Sequence, residues 1–247
     1  MNRKFLLGLL CLLMGTASVF ATAFDDANTR SKAGDFTGAA EAYEKILAEE
    51  GPDSAVFFNL GNCYQGLRRY GPAILAYERA RLITPRDPDL LANLALARKA
   101  AAAFEEGGPN PKLEAVIGGL SRNEWSWLVA GAALFLGVVS VLGGAFHLPR
   151  QAGKVLWISA GAAGLAIIAG SSALYLRRTE GNRGIVLSEN AAVRLSPFEK
   201  AESVGTPGPG RFVRLGVKNG GFHYVEVPGA NLRGWLSEKD VAAILTE

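Results

Sequence analysis

Phe57 to Pro85 reads FFNLGNCYQGLRRYGPAILAYERARLITP, and this stretch predicts two closely packed helices. Leu60, Gly61 and Tyr64 recur at the three- and four-residue spacing of one helix face. Gly61 has no side chain, so a second helix can approach the first closely at that point. The second helix presents small and aromatic residues to the first, namely Ala73, Tyr77 and Ala80. Pro85 then ends it, because the residue before a proline disfavours the helical conformation.

The same pattern returns once earlier and once later in the chain, each time at the spacing that separates Tyr43 from Tyr77 (the repeat spacing). The matching sets are Phe36 and Tyr43 with Tyr70 and Tyr77, and Leu91, Asn93 and Leu94 with Phe57, Asn59 and Leu60. The motif Phe57-x2-Leu60-Gly61-x2-Tyr64, followed by Ala73-x3-Tyr77 and Pro85, resembles the tetratricopeptide repeat. The resemblance implies an all-α tetratricopeptide solenoid over residues 24–105. Two repeats would occupy 24–86, and a terminal helix near 88–105 would begin at Asp87-Pro88.

Four asparagines share the first-helix face in successive repeats: Asn28, Asn59, Asn62 and Asn93. The first helices of such repeats line the concave face of the solenoid. Side-chain amides both donate and accept hydrogen bonds, so the four residues are candidates for a partner-binding groove that holds a peptide backbone or a carboxylate. The same amides can instead hydrogen-bond one repeat to the next. The sequence leaves both interpretations open.

The N-terminus has the pattern of a secretory signal peptide over residues 1–23. Arg3 and Lys4 precede an apolar run from Phe5 to Met14, and Ala21-Thr22-Ala23 matches the usual cleavage site. Cys11 lies inside the apolar run. Removal of the signal would therefore leave Cys63 as a single thiol, which predicts no intrachain disulfide.

Two apolar segments, 125–146 and 155–176, each contain 22 residues without a charge and predict a two-helix transmembrane hairpin. Residues 147–154 form the loop between them, and residues 106–124 form a linker with a short amphipathic helix. Small residues recur every four positions, which predicts close helix contact: Ala133 and Gly137, Ser140 and Gly144, and Ala162, Ala166 and Gly170. Transport needs polar groups at depth, so the hairpin is interpreted as an anchor.

The orientation of the hairpin is read from the signal peptide and from the basic residues. A cleaved signal places both soluble parts on the periplasmic side of a bacterial inner membrane, with a cytoplasmic loop at 147–154. Arg150 and Lys154 in that loop agree with the excess of positive charge on the cytoplasmic side. Arg177, Arg178 and Arg183 follow the second span and argue for the opposite orientation.

Residues 182–247 alternate as short strands, and five strands predict a small all-β barrel. The segment resembles a bacterial SH3-like domain. The resemblance is carried by Val193-Arg194-Leu195-Ser196-Pro197, the glycine-rich turn Gly205–Gly210, Tyr224-x2-Val227 and Gly234-Trp235-Leu236. Val225 and Val227 are expected in the core. Phe222, Tyr224 and Trp235 are candidates for an exposed ligand platform, with packing at the rim of the core as the alternative.

Other functional classes receive little support from the sequence. The formal net charge of +3 is too small to indicate a nucleic-acid partner. No phosphate-binding loop, nucleophile elbow or zinc-binding helix motif occurs, and the two histidines, His147 and His223, lie in different parts of the chain. We therefore expect no enzymatic activity, no metal site and no cofactor.

The order of these parts resembles one family over nearly the whole chain. A signal, two repeats, Asn93 with Ala97-Arg98-Lys99, Asn123-Glu124-Trp125 at the first span, a second span and an SH3-like tail are similar to the BatE proteins of the bacterial aerotolerance (Bat) operon. The resemblance implies a multidomain membrane protein that acts as a scaffold beside von Willebrand factor A-type Bat membrane proteins. Cell-wall or small-ligand binding through the SH3-like domain is the alternative function.

Overall fold

The computed structural model describes residues 22–103, 116–145, 150–178 and 182–245. It divides into two compact units, one combining Met1–Gly108 with Arg183–Glu247 and the other comprising Pro109–Asn182. Most of the predicted signal peptide and of the predicted linker lies outside the described residues. So do residues 146–149 of the predicted loop and the side chains of Arg177 and Arg178.

Five helices open the first unit. They are α1 (22–32), α2 (Phe36–Glu50), α3 (Ser54–Gly66), α4 (Tyr70–Ile83) and α5 (Pro88–Ala100). Aspartate carboxylates accept backbone N–H bonds at the starts of α2, α3 and α5, as expected of N-caps. The predicted cap at Asp87 is confirmed, since its Oδ1 accepts from the amides of Asp89 and Leu90 at 3.0 and 3.1 Å.

The backbone conformation recurs at the repeat spacing. Gly34, Arg68 and Ala102 follow α1, α3 and α5 and have φ angles of 83°, 58° and 51°. In each case the next amide bonds to a carbonyl five residues back, with donor–acceptor distances of 3.0, 2.8 and 2.9 Å. This left-handed turn is a standard helix C-cap. The helices α1, α3 and α5, each the first helix of its repeat, therefore end in the same way, although only one of the three turns has glycine.

Gly61 allows α3 and α4 to approach closely, as predicted. A Cβ added at Gly61 would lie only 2.5 Å from Cε1 of Tyr77 on α4, so no larger residue fits without displacing the ring. Tyr77 itself is fully buried, together with Ala73 and Ala80 on the same face. The predicted inward face of the second helix is therefore confirmed.

The described C-terminal residues form a seven-stranded antiparallel sheet with the order β3-β2-β6-β5-β4-β1-β7. The strands are β1 (Arg183–Val186), β2 (Val193–Arg194), β3 (Ser203–Gly205), β4 (Phe212–Asn219), β5 (Phe222–Val227), β6 (Leu232–Ser237) and β7 (Val241–Ala243). The prediction of five strands is wrong. β3 has three residues, two of them exposed, so no apolar alternation marks it in the sequence.

The sheet carries an apolar cluster that is mostly valine. Val186 of β1, Val193 of β2 and Val241 of β7 belong to it, together with residues of the strands that lie between them in the sheet. Val225 and Val227 point into this cluster with exposures of 0% and 2%, as predicted.

The second unit contains the helical turn α6 (116–118) and the helices α7 (Arg122–Ala145) and α8 (Arg150–Arg178). α7 and α8 are long and apolar enough to cross a membrane. Ser121 and Glu124 form a capping box at the start of α7: the Glu124 carboxylate accepts from the Ser121 amide at 2.7 Å, and the Ser121 hydroxyl accepts from the Glu124 amide at 3.2 Å.

The contact between α7 and α8 follows a seven-residue pattern. The buried and half-buried residues of α7 alternate in four- and three-residue steps: Trp125, Val129, Ala132, Leu136 and Val139. This spacing is typical of coiled-coil packing. Gly170 of α8 faces this seam, as predicted, since a Cβ there would lie 2.5 Å from Cγ2 of Val129. The predicted contact at Ala133, Gly137 and Ala162 is wrong, because these residues are exposed and large side chains form the seam instead.

Candidate functional site

The first pair of predicted groove residues, Asn28 and Asn59, is joined by a hydrogen bond between α1 and α3. Asn28 Oδ1 accepts from Asn59 Nδ2 at 3.0 Å and from the Tyr43 hydroxyl at 2.7 Å. Burial, helped by the nearby Cys63, raises the pKa of Tyr43 to about 12. Its hydroxyl therefore stays protonated at neutral pH and acts as a donor to Asn28.

The second pair, Asn62 and Asn93, repeats this arrangement between α3 and α5. Asn62 Oδ1 accepts from Asn93 Nδ2 at 2.9 Å and from the Tyr77 hydroxyl at 2.8 Å. Each residue follows its counterpart in the first pair by the repeat spacing. The ring contacts recur too, with centroid distances of 5.9 Å for Phe24–Tyr43 and 6.0 Å for Phe58–Tyr77.

These contacts support hydrogen bonding between one repeat and the next as one role of the four asparagines. The side-chain carbonyl oxygens of Asn28 and Asn62 each accept two hydrogen bonds within the fold. Asn59 and Asn93 act as donors in the network. Among the described contacts, their own carbonyl oxygens accept no hydrogen bond and are available to a ligand. Peptide binding by these amides stays a prediction.

Of the three residues predicted to form an exposed platform on the sheet, two remain partly exposed. Phe222 is only 7% exposed, so its assignment to an exposed platform is wrong. Tyr224 on β5 and Trp235 on β6 are half-buried and lie directly opposite each other in the antiparallel register. Their ring centroids are 5.5 Å apart with an interplanar angle of 78°, an edge-to-face pair.

Charged residues flank this aromatic pair on both sides. Arg194 of β2 lies opposite Trp235, and paired residues project from the same face of a sheet. Along β5 and its neighbours, the next row on that face contains Arg214, Glu226 and Arg233, with Arg214 Nη1 3.5 Å from Glu226 Oε2. Three guanidinium groups against one carboxylate give this face of the sheet a positive balance.

Neither group of residues has the features of a reaction centre. His223 lies on the interior strand β5, and burial together with Lys218 lowers its pKa. Within the described ranges, no group of three His, Cys, Asp or Glu side chains could hold a metal ion. No family model and no curated protein matches this chain.

One buried charged residue, Glu78 of α4, was missed by the sequence analysis. Its side chain is 3% exposed and forms ion pairs with Arg81, at 2.8 Å, and with Arg98 of α5. Burial would raise the pKa of Glu78, but Arg81, Arg98 and Arg183 of β1 outweigh it and hold the pKa below its usual value. Glu78 therefore stays ionised and gathers cations from two helices and the sheet.

The repeat spacing contains a signal that could have found Glu78. Glu44 occupies the equivalent position in the first repeat and accepts a hydrogen bond from Tyr64. Arg98 follows Tyr64 by the same spacing, so the pair Glu78–Arg98 repeats the pair Glu44–Tyr64 with a cation in place of the hydroxyl. When a carboxylate and its partner recur together in successive repeats, the pair indicates a contact between one repeat and the next.

Proposed function

We propose that this protein is a non-enzymatic, membrane-anchored scaffold that docks a protein partner through a tetratricopeptide groove lined by α1, α3 and α5. The observation that carries the proposal is the recurrence, at the repeat spacing, of the same phenylalanine, asparagine and tyrosine contacts. Stacked repeats present equivalent side chains at regular intervals, and such a regular row of side chains suits the binding of an extended peptide. The seven-stranded sheet would be the SH3-like domain of a Bat-type protein.

The partner site is tested by removing the two amides with available carbonyls. Asn59→Ala with Asn93→Ala is expected to lower recovery of a membrane partner in co-purification by roughly 30-fold, since two peptide hydrogen bonds of about 1 kcal/mol each are lost. The changes also remove the hydrogen bonds to Asn28 and Asn62, so amide protection of α3 and α4 should fall, but by less than partner recovery does. Two outcomes would contradict a groove at these residues. Either the recovery of the partner does not change, or the amide protection of α3 and α4 falls by the same factor as the recovery.

Asn62→Ala is the structural comparison for this experiment. It deprives the buried Tyr77 hydroxyl of its closest acceptor, so it should lower stability as well as binding. The partner itself is proposed to be a von Willebrand factor A-type Bat membrane protein, and recovery of one defined membrane protein is the expected result. No role for a nucleic acid is proposed.

We also propose that α7 and α8 span a bacterial inner membrane, with the helices and the sheet in the periplasm. Support comes from their length and composition and from exposed aromatic rings near the helix ends, since Trp127, Trp157 and Tyr175 are 69–81% exposed. The segments before and after the hairpin belong to one compact unit, which supports placing both on the same side. The signal peptide assigns that side.

Cysteine labelling tests the sidedness. In a chain with Cys11 and Cys63 replaced by alanine, new cysteines at the exposed positions Glu41 and Asn219 should both react with an impermeant maleimide in intact spheroplasts. A cysteine in place of Gln151, in the first turn of α8 at its proposed cytoplasmic end, should react only after lysis. Shielding of Glu41 and Asn219 together would mean that the arginines after α8 set the orientation. Shielding of only one would contradict two spans.

A second candidate function rests on the aromatic pair Tyr224–Trp235 and its arginine flanks. A half-buried ring pair beside cations suits a cell-wall fragment or another small anionic ligand. Sedimentation of the protein with purified peptidoglycan that is abolished by Tyr224→Ala, but not by the asparagine changes, would favour this alternative. The helices would then serve only as structural support.

A further inference from the structure

The sheet packs against α4 so closely that the backbone of β1 touches a glycine. A Cβ added at Gly71, in the first turn of α4, would lie 2.6 Å from the carbonyl oxygen of Val186 and would also contact that of Leu187. Both partners are backbone atoms, which cannot swing aside as the end of a side chain would. Gly71 is therefore fitted to the sheet, which follows it by more than a hundred residues in the chain.

A second glycine makes the same contact from the side of the sheet. Gly210, in the loop before β4, has a φ of +76° and touches the side chain of Ile74 on α4. Its added Cβ would also lie 3.3 Å from Cβ of Ala103, at the end of the helical part. The amide of Gly210 is bonded to the Val186 carbonyl at 2.7 Å, so this loop and β1 meet the helices as one surface.

Arg79 of α4 covers the edge of the sheet. Its Nη2 donates to the Ala243 carbonyl at 2.9 Å, and its Nε donates to the Ile244 carbonyl at 3.2 Å. These carbonyls lie on or next to β7, which is an edge strand. An edge strand needs its polar backbone groups capped or covered. Burial lowers the pKa of Arg79, as expected for a guanidinium enclosed between helix and strand.

The apolar side chains and the buried charge cross the same boundary. Ile185 of β1 and Ile244 after β7 belong to the cluster that contains Ile74 and Tyr77, with exposures of 2% and 7% for the two isoleucines. Arg183 of β1 contributes to the field that keeps Glu78 ionised. The apolar cluster of the helices therefore takes in two isoleucines of the C-terminal part, and helices and sheet share one buried charge and one hydrogen-bonded edge.

We infer that the helices and the sheet form a single cooperative folding unit, in which α4 is the docking surface and the C-terminal sheet of the same chain is its occupant. The apolar hairpin separates the two halves of this unit in the chain. The helical part therefore reaches its final form only after the hairpin and the sheet have been made and the sheet has joined α4. This coupling makes a complete, inserted chain a condition for a stable groove, and it holds whether or not the groove binds a partner.

The test compares two glycine substitutions in the full chain, reconstituted in lipid nanodiscs. Gly71→Ala introduces a methyl group against the β1 carbonyls, whereas Gly208→Ala introduces one where no atom lies within 4 Å. Native-state hydrogen exchange is followed separately for amides of α3 and β5, two elements that do not touch the substitution. Gly71→Ala should accelerate exchange in both by the same factor, about tenfold or more, and Gly208→Ala by less than about threefold.

Equal acceleration in α3 and β5 supports one cooperative unit. Acceleration confined to one of them, or found in neither, overturns the inference, because independent modules would respond separately. If the Gly71→Ala chain does not accumulate, Arg79→Lys decides in the same way. It keeps the charge, adds no volume and removes the forked contact with the two β7 carbonyls. Because the Arg79 guanidinium also lies over the Phe57 ring of α3, exchange for this variant is followed in α2 and β5. Its parallel acceleration in α2 and β5 should be several-fold, and an effect on one element alone overturns the inference equally.

Discussion

Replacing Glu78 with glutamine is expected to destabilise the helix–sheet unit by about 3–5 kcal/mol, the usual cost of removing one partner from a buried ion pair. Glu78 is 3% exposed and forms ion pairs with both Arg81 and Arg98. Glutamine keeps the shape but carries no charge. The two guanidinium groups, which are 33% and 30% exposed, would then lose their attraction to this buried carboxylate.

Pulse proteolysis in urea, with the full chain in detergent, measures this loss. Glu49→Gln is the matched control, because Glu49 is 61% exposed and its ion pair with Lys45 is 3.8 Å long. An exposed pair of this kind contributes at most about 0.5 kcal/mol. If the two variants unfold at the same urea concentration, the cluster around Glu78 does not stabilise the unit.

The same carboxylate sets a pH dependence of stability. The folded pKa of Glu78 lies below its unfolded value of 4.5, so its contribution is fully present above that pH. The contribution is lost as the pH falls through the folded pKa, when the carboxylate takes up a proton. Between pH 5 and 3 the urea midpoint of the wild type should therefore fall more steeply than that of Glu78→Gln. Parallel profiles would contradict an ionised Glu78 in the folded state.

Gly170→Leu is expected to disrupt the packing of α7 against α8. The first added carbon would already lie 2.5 Å from Cγ2 of Val129 and 3.5 Å from Cδ2 of Leu128, so the remaining atoms force the helices apart. Overpacking of this kind costs about 1–3 kcal/mol. The temperature at which the protein aggregates in detergent should fall, while hydrogen exchange in α3 and β5 should not change.

Gly161→Leu provides the control on the same helix. Gly161 is exposed, and no atom lies within 4 Å of a Cβ added there. Leucine at this position should leave the aggregation temperature close to that of the wild type. Equal aggregation temperatures for Gly170→Leu and Gly161→Leu would mean that Gly170 faces the lipid and not α7.

Much of the helical part could be predicted because its signals are local. The caps, the proline after α4 and the close approach at Gly61 involve residues a few positions apart, or one helix and the next. The hairpin was predictable for the same reason, since an uninterrupted apolar run is visible in any sequence. The side of each helix that forms the contact was not. Small residues every four positions suggested one face of α7, whereas the larger residues from Trp125 to Val139 form the seam.

The candidate site divides in the same way. The spacing of Asn28, Asn59, Asn62 and Asn93 placed them on one face, but which amides are spent inside the fold depends on where Tyr43 and Tyr77 point. Phe222 alternates with Tyr224 in the sequence and was assigned to the same exposed face, yet only the structure buries it. Periodicity gives the direction of a side chain relative to its own strand, and neighbouring segments decide whether that face is covered.

The sequence by itself determined the repeat length, the presence of the two apolar helices and most of the strands, because each depends on interactions within one segment or between adjacent ones. The predicted helix limits were less accurate, since the helix predicted near 88–105 ends at Ala100 and α8 begins inside the predicted loop, at Arg150. Only the tertiary structure decided that the sheet rests on α4, that Glu78 is buried among arginines and that Arg79 closes the edge at β7. The contacts of α4 with the sheet and of Arg79 with β7 join segments more than a hundred residues apart, as does the influence of Arg183 on Glu78. The residues involved are ordinary ones, and their roles arise from the surface that folds against them.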